Sequence, residues 1–299
     1  MILAAGRSER FGGLKQLAPV RPSGEAIMDL TAADALASGY TGVILVVREE
    51  IIDQTATHVR HFWPSEMPVE IVCQDQRRGT AAAVAVVRPF VDGPFVVANA
   101  DDLYDGTALR RLREHIVVSF VETVGEGASM PSKALHALVT YRLSQTILGD
   151  RPVNRGICEI GADRQLLRIA EHRVTPRSDG GYDGTPIVLS TDAAARGDGI
   201  QRLHGGEPVS MNLWGFHPSI LDVIDAELEQ FDPATASRPE LLLPDVAGAL
   251  LADGTARLAT VESDARCIGI TYPEDLCVVR DELARQQLES WRSEQSMAG

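Results

Sequence analysis

The most constraining feature of this sequence is the alternation of short apolar runs with helical patterns over its first hundred residues. Runs rich in Val, Ile and Leu are typical of strands buried on both faces, and the stretches between them show helical spacing. Because this alternation builds a parallel sheet covered by helices, we predict a three-layer α/β/α, Rossmann-like fold. The predicted strands are residues 1–5, 43–47, 69–74 and 94–98, and the predicted helices are 26–39, 51–62 and 80–90.

The pattern loosens beyond residue 115. Residues 174–208 are rich in Gly, Asp, Thr and Pro and predict short hairpins outside the main sheet, and 125–133 predict a mobile loop. No linker composition interrupts the chain, so we predict one domain over residues 1–299. The remaining predicted strands are 135–141 and 256–261, residues 209–216 form another apolar segment, and the remaining predicted helices are 219–230, 240–253 and 273–292.

The net charge of −14 over 299 residues argues against nucleic acid as a partner, because binding to a phosphate backbone rewards clustered lysine and arginine. The acidity is uneven, since residues 222–299 hold 16 of the 42 acidic side chains but 6 of the 28 basic ones. No apolar run approaches the ~20 residues of a membrane span, and charges interrupt the apolar start. Four scattered cysteines indicate neither a zinc site nor a disulfide framework. We expect a soluble cytoplasmic protein without a membrane partner.

The segment 2–17 carries the clearest chemistry. A short apolar strand leads into a turn at Gly6, whose backbone N–H groups can face an anion, and Arg10 and Lys15 follow. A glycine turn after a buried strand, with cations nearby, is the arrangement that holds a polyphosphate. Other glycine-loop motifs fit poorly, because Ser8 breaks the GxGxxG pattern and no Gly-Lys-Ser/Thr is present for a Walker A loop.

Lys15 is informative because lysine is rare in this chain. Of the 28 basic residues, only Lys15 and Lys133 are lysines, so composition alone predicts arginine at an ordinary exposed position. A compact ammonium group is useful where a point charge must follow one phosphate oxygen. We therefore interpret Lys15 as a phosphate-binding residue.

The segment 2–17 resembles the signature of the nucleotidyltransferase family, LAAG-x-G/S-x-R followed by a lysine, as in the molybdopterin and methylerythritol cytidylyltransferases. Four later segments resemble the sugar-phosphate branch of that family and occur in the family's order, at 74–81, 99–104, 210–216 and 269–275. The resemblance covers most of the chain. It implies a GT-A-like mixed sheet, mostly parallel, with hairpin insertions in the half that binds the acceptor.

On the nucleotide side, the resemblance implies an NTP-binding half at 1–115. Arg10 would hold the leaving pyrophosphate, Lys15 would neutralise the α-phosphate, and Asp101 would bind Mg²⁺, with Asp102 as a second metal candidate. An aspartate after a buried strand also lies where open α/β sheets bind ligands. The other implied nucleotide-binding residues are Leu3, Ala4, Ala5, Gly6, Arg7, Ser8, Gln74, Gly79 and Thr80.

On the acceptor side, the resemblance implies a binding half at 116–272, followed by a C-terminal helix and tail at 273–299. Glu171 resembles the family glutamate that hydrogen-bonds a sugar hydroxyl, and Asn212 resembles the asparagine that contacts the substrates. Gly156 and Glu159 belong to a candidate backbone rim of the same pocket.

Several positions depart from the family pattern. The acceptor lysine that usually follows the glutamate is absent after Glu171, and Glu9 stands where many relatives carry Ser or Thr. The segment 267–271 supplies no carboxylate for a second metal, which leaves Asp102 or Asp264 as candidates. The first strand is also short, so we expect the native start to lie upstream of Met1.

These features predict an Mg²⁺-dependent nucleotidyltransferase that joins an NTP to a sugar 1-phosphate or a similar phosphorylated polyol and releases pyrophosphate. Two alternatives stay open. One is a nucleotide-sugar-dependent glycosyltransferase of similar fold, and the other is a nucleotide sensor without turnover. The sequence leaves open the base, the acceptor and the presence of a homo-oligomer.

Overall fold

The computed structural model describes residues 1–8, 10–74, 78–125, 135–187, 199–234, 236, 239–254 and 256–297. The prediction for Glu9 and most of the predicted loop at 125–133 lie outside the described residues. Among the described helices, none is both long and apolar enough to cross a membrane.

The chain forms strands and helices in a repeating order through its first half and antiparallel strands in its second. The strands are β1 (Ile2–Leu3), β2 (Val43–Val47), β3 (Val69–Cys73), β4 (Phe95–Asn99), β5 (Asp102–Leu103), β6 (Leu135–Arg142), β7 (Val153–Ile160), β8 (Leu166–Pro176), β9 (Tyr182–Pro186), β10 (Gln201–Leu203), β11 (Pro208–Phe216), β12 (Arg257–Ser263) and β13 (Ile268–Gly269). The helices are α1 (Ile27–Ala37), α2 (Ile52–Phe62), α3 (Gly79–Ala85), α4 (Gly106–Gly125), α5 (Ile220–Gln230), α6 (Leu243–Asp253) and α7 (Asp275–Met297).

The main sheet has eleven strands. Its central strands β3, β2, β1 and β4 are parallel, and β11 joins β4 in the antiparallel sense. One edge of β11 pairs with β6, while its other edge pairs with β7 at Val209–Ser210 and with β4 from Trp214 onward. A break in the register falls between Ser210 and Trp214, which lets this strand pair with β7 and then with β4.

Helices cover both faces of the sheet. In β2, Val46 packs with α3, α5 and α6 on one face, whereas Leu45 and Val47 pack with α1 and α2 on the other. The helix α4 covers β6, β11 and β12. Burial on both faces explains the continuous apolar runs that predicted these strands. The three-layer mixed fold with parallel central strands is therefore confirmed.

Two predictions about the second half are wrong. The long hairpin of β7 and β8 was not predicted as strands, and residues 174–208 were expected to lie outside the main sheet. In the structure, β8, β9 and β10 continue the same sheet by antiparallel pairing. Gly and Pro in β9 lower the strand propensity of its sequence. They do not prevent β9 from pairing near the edge of the sheet, because strands pair through hydrogen bonds between backbone groups.

We expect His136 to make stability sensitive to acid. Its imidazole is buried in β6, Nδ1 accepts a hydrogen bond of 3.2 Å from the backbone N–H of His217, and burial lowers its pKa to about 4. The unfolded chain takes up this proton near pH 6.5, so stability is present above pH 6.5 and is lost as the pH falls towards 4. The loss should reach about 3 kcal/mol in denaturant titrations.

The variant His136→Asn should remove this pH dependence, because its side-chain oxygen can accept the same bond and does not titrate. The variant His204→Asn, at an exposed position, should leave the dependence unchanged. An equal acid response in the wild type and in His136→Asn would contradict the assignment.

Candidate functional site

One buried side chain fixes the conformation of the loop that follows β1. Gln16 is 2% exposed, and its Nε2 donates hydrogen bonds of 2.7 Å to the carbonyl of Ala4 and 2.8 Å to that of Gly6. The Arg48 guanidinium donates a further bond of 2.6 Å to the Gly6 carbonyl. Within the described part of the chain, the N–H groups of Gly6 and Arg7 have no acceptor. The loop therefore has its carbonyls bound internally and its amides available to an anion.

Replacing Gln16 by alanine should loosen this loop. The change removes both hydrogen bonds from Nε2 and the one accepted from Ser8, and the Gly6 carbonyl keeps only its bond from Arg48, which should lower the free energy of unfolding by about 2 kcal/mol. It should also raise roughly tenfold the KM for the NTP that the sequence predicts as substrate, equivalent to about 1.4 kcal/mol of weaker binding. Kinetics and chemical denaturation test both effects. The exposed Gln54→Ala in α2 is the control, and a variant of Gln16 with unchanged stability and KM would refute this role.

Lys15 and Asp101 form an ion pair at the centre of the site. Asp101 lies just beyond β4, and Lys15 begins a short 3-10 helix over Lys15–Leu17. About a fifth of each side chain is exposed (20% and 21%), and Lys15 Nζ also donates a hydrogen bond of 3.2 Å to the carbonyl of Ile270. Asp101 lines two separate cavities, so the pair stands between them.

The first cavity, of about 530 Å³, gathers most of the residues expected to bind the nucleotide. Ser8 is the exception: it does not line this cavity, its φ is +54°, and its hydroxyl donates a hydrogen bond of 3.3 Å to Gln16. Contact of these residues with a nucleotide stays a prediction. The nucleotide-binding candidates that line the cavity are Leu3, Ala4, Ala5, Gly6, Arg7, Gln74, Gly79 and Thr80.

One end of this cavity is formed where a C-terminal segment contacts the start of α3. Gly79 has a φ of +90°, and a Cβ there would lie 2.1 Å from the carbonyl oxygen of Leu241. Thr80 Oγ1 accepts a hydrogen bond of 2.9 Å from the Leu243 N–H, and Gln74 Nε2 donates one of 3.1 Å to the Gly79 carbonyl. Only glycine fits the close contact at 79.

The second cavity, of about 280 Å³, is lined by four arginines and by the aspartates Asp101, Asp102 and Asp275. Arg10 lines it and not the first cavity, and its guanidinium lies 5.6 Å from the ring centroid of Tyr272. The Arg151 guanidinium lies 4.3 Å from the same centroid. Arg155 and Arg173 also line this cavity. Four arginines around one cavity favour an anionic ligand.

The predicted acceptor residues are only partly brought together. Gly156 and Glu171 stand opposite each other in the β7–β8 ladder, but neither lines one of the two cavities. Glu159 is exposed and forms an ion pair of 3.3 Å with Arg168. Asn212 lines the first cavity at the register break of β11, with a φ of +56°. The structure thus places Asn212 with the nucleotide candidates.

The carboxylates beside the ion pair fit Mg²⁺ as it is usually bound, through one or two carboxylates together with substrate phosphates. Asp101 offers such an oxygen where both cavities meet. Asp102 is buried, accepts a hydrogen bond of 2.8 Å from Asn99, and has its pKa raised to about 6 by burial and by Asp101. Its Oδ1 lies 2.3 Å from where a Cβ on Gly269 would stand. No cluster of three or more potential metal ligands occurs among the described residues.

Sequence reasoning missed several residues of the site. Gln16 and Arg48 support the glycine loop, and the only local signal was a polar residue between apolar neighbours at 16. Tyr272 lies in a segment that the resemblance singled out without a role for the ring. Arg151, Arg173 and Glu240 at the cavities were also missed, whereas Arg155 begins the segment 155–159 that was predicted as a backbone rim without a role for its side chain.

Comparison with known proteins finds solved structures of the same fold. A Bacillus anthracis protein described as a glucose-1-phosphate thymidylyltransferase, solved with sucrose, superposes with a TM-score of 0.60 at 15% identity, covering 94% of this chain and 92% of that chain. The inositol-1-phosphate CTP transferase of T. maritima superposes with a TM-score of 0.58 at 14% identity, covering 92% and 89% of the two chains. No curated protein sequence matches the chain.

The sheet, the glycine loop and the family match together define a nucleotidyltransferase with a GT-A-like α/β fold. The chain belongs to the MobA-like NTP transferase domain family, whose model matches residues 1–205.

Proposed function

We propose that the protein joins an NTP to a sugar 1-phosphate or a similar polyol phosphate, with Mg²⁺, and releases pyrophosphate. The observation that carries the proposal is the position of the Lys15–Asp101 pair between two cavities of different character. The first cavity presents loop amides and suits a nucleotide. The second presents arginines and suits a phosphorylated acceptor. A reaction between the two ligands would take place where Lys15 and Asp101 stand.

The proposed reaction needs no general acid or base. An oxygen of the acceptor phosphate attacks the α-phosphorus, a new P–O bond forms, and the bond to the β-phosphate oxygen breaks so that pyrophosphate leaves with the electron pair. The nucleophile is already anionic, so alignment and charge neutralisation carry the catalysis. In the proposed mechanism, Lys15 balances charge on the α-phosphate and the loop amides hold the phosphates beyond it.

Bound Mg²⁺ would supply Lewis-acid stabilisation of the phosphate oxygens, held by Asp101 with Asp102 as the second candidate. Arg10, expected from the sequence to hold the leaving pyrophosphate, lines the second cavity, where it also suits an acceptor phosphate. The two structural relatives support this acceptor class, because their descriptions name a sugar 1-phosphate and an inositol 1-phosphate. Cytoplasmic location and the absence of nucleic-acid and membrane partners stay predictions.

Pyrophosphate release from a panel of the four NTPs and dTTP, each combined with several sugar and polyol phosphates, tests the proposal. We expect release that requires an acceptor and Mg²⁺ and stops with EDTA. Transfer of sugar from a nucleotide sugar, without pyrophosphate release, would instead indicate a glycosyltransferase. Tight NTP binding with no turnover for any acceptor would indicate a sensor.

A further inference from the structure

The end of the first cavity remote from the glycine loop carries an exposed carboxylate, that of Glu240. Its neighbour Leu241 is fixed to the start of α3, with its N–H donating 3.0 Å to the Arg78 carbonyl and its carbonyl accepting 3.2 Å from the Ala81 N–H. Glu240 is thereby held close to Gly79. Among the described residues, Glu240 has no cationic or hydrogen-bonding partner.

A second acceptor lies at the same end of the cavity. Gln74 uses its Nε2 to donate to the Gly79 carbonyl at 3.1 Å, and within the described residues its Oε1 has no hydrogen-bonding partner. A carboxylate accepts hydrogen bonds and cannot donate them when ionised. Both side chains at this end therefore offer acceptors to a bound molecule.

The opposite end of the cavity carries the loop amides. Arg7 and Arg48 line it but are paired there with Glu50, at 3.5 and 3.6 Å, and Lys15 is paired with Asp101. The N–H groups of Gly6 and Arg7, which have no acceptor among the described residues, orient a nucleotide with its phosphates at this end and its base towards Glu240. Uracil and thymine present a carbonyl at the ring position where cytosine presents an amino group. A carbonyl facing a carboxylate is repelled, and an amino group is bound.

We infer that the nucleotide substrate carries a base with an exocyclic amino group, and that Glu240 selects this base by accepting a hydrogen bond from that group. The inference rests on the proposed nucleotidyl transfer and assigns its nucleotide class: cytosine, adenine or guanine, against uracil and thymine. Glu49 also lines the cavity, but it follows Arg48, which is bound to the loop expected to face the phosphates. Glu49 therefore lies at the phosphate end, and Glu240 is the carboxylate that contacts the base.

Nucleotide binding by titration calorimetry tests the inference without knowledge of the acceptor. The wild type is titrated with CTP, ATP, GTP, UTP and dTTP, and the tightest ligand is compared with the analogue in which a carbonyl replaces its amino group, UTP for CTP, ITP for ATP or XTP for GTP. We expect roughly 10- to 100-fold tighter binding of the amino-bearing nucleotide. In Glu240→Gln this ratio should fall about tenfold, because an amide can donate to a carbonyl. The exposed Glu229→Gln in α5 makes the same charge change away from the cavity and should keep the ratio.

Equal or tighter binding of UTP or dTTP by the wild type would overturn the inference and leave nucleotidyl transfer intact. An unchanged ratio in Glu240→Gln, or a ratio that falls in Glu49→Gln instead, would also overturn it. Binding of no nucleotide would refute both this inference and the proposed function. Selective binding without pyrophosphate release would refute the proposed reaction alone.

Discussion

Replacing Lys15 by alanine is expected to lower the rate of pyrophosphate release by ~10²–10³, equivalent to ~3–4 kcal/mol of lost transition-state stabilisation. The ammonium group is paired with Asp101, which lines both the first cavity and the second cavity. When charge develops on the α-phosphate, no other lysine in the described chain can replace it. Steady-state kinetics with saturating NTP and acceptor measure the loss in kcat.

Two further variants sharpen this expectation. Lys15→Arg should also be poor, because a planar guanidinium does not reproduce a point charge at that position. Asp101→Asn should lose activity as well, because it removes a carboxylate from the junction of the cavities. The exposed Arg110→Ala in α4 is the control, and all variants should remain folded, which denaturant titration checks. Near-normal turnover in both Lys15→Ala and Asp101→Asn would refute the assigned centre.

The variant Gly79→Ala is expected to lower the free energy of unfolding by about 2–4 kcal/mol. Its Cβ would meet the Leu241 carbonyl oxygen at 2.1 Å, which is backbone and cannot rotate away, and the φ of +90° adds strain for any L side chain. The segment with Leu241 should therefore separate from α3. We also expect weaker nucleotide binding, because the same contact forms the far wall of the first cavity.

Denaturant titration and nucleotide calorimetry on the same protein samples test this expectation. The matched control is Gly93→Ala, since a Cβ at Gly93 has nothing within 4 Å and its φ is not positive. That control should be neutral or slightly stabilising. If Gly79→Ala were as stable as Gly93→Ala, the close approach of the two backbones would be wrong.

Local patterns in the sequence predicted much of the first half of the chain, which holds the residues expected to bind the nucleotide. The apolar run at Val43–Val47 and the glycine turn at Gly6 lie close together in the sequence, and their meaning follows from burial and backbone geometry. Asp101, just beyond β4, was predicted as a ligand-binding residue because open α/β sheets bind ligands at the carboxyl ends of their strands. Gln74, Gly79 and Thr80 were grouped with the loop after β1 by the family resemblance and not by local patterns, and the structure places all three in one cavity with that loop.

The acceptor side depended on contacts that local patterns do not encode. Arg155 and Arg173 lie on neighbouring strands of a hairpin that was not predicted, so nothing in the sequence indicated that they share a cavity with Arg10. Glu240 lies at the first cavity because the backbone of its neighbour Leu241 is hydrogen-bonded to Arg78. These two residues are far apart in the chain. Such long-range pairings are visible only once the topology is known.

The double pairing of β11 has a consequence for how the chain folds. Residues 208–216 pair with β4, β7 and one edge of β6, all of which are synthesised long before them, while the other edge of β6 pairs later with β12. Until β11 emerges from the ribosome, β4 has one unpaired edge although its parallel neighbour β1 is already available. Closing loops of this length makes folding slow, and an open strand edge invites association with other chains. We therefore expect nascent chains that end before residue 208 to aggregate, and chains that include Phe216 to be the first to resist proteolysis.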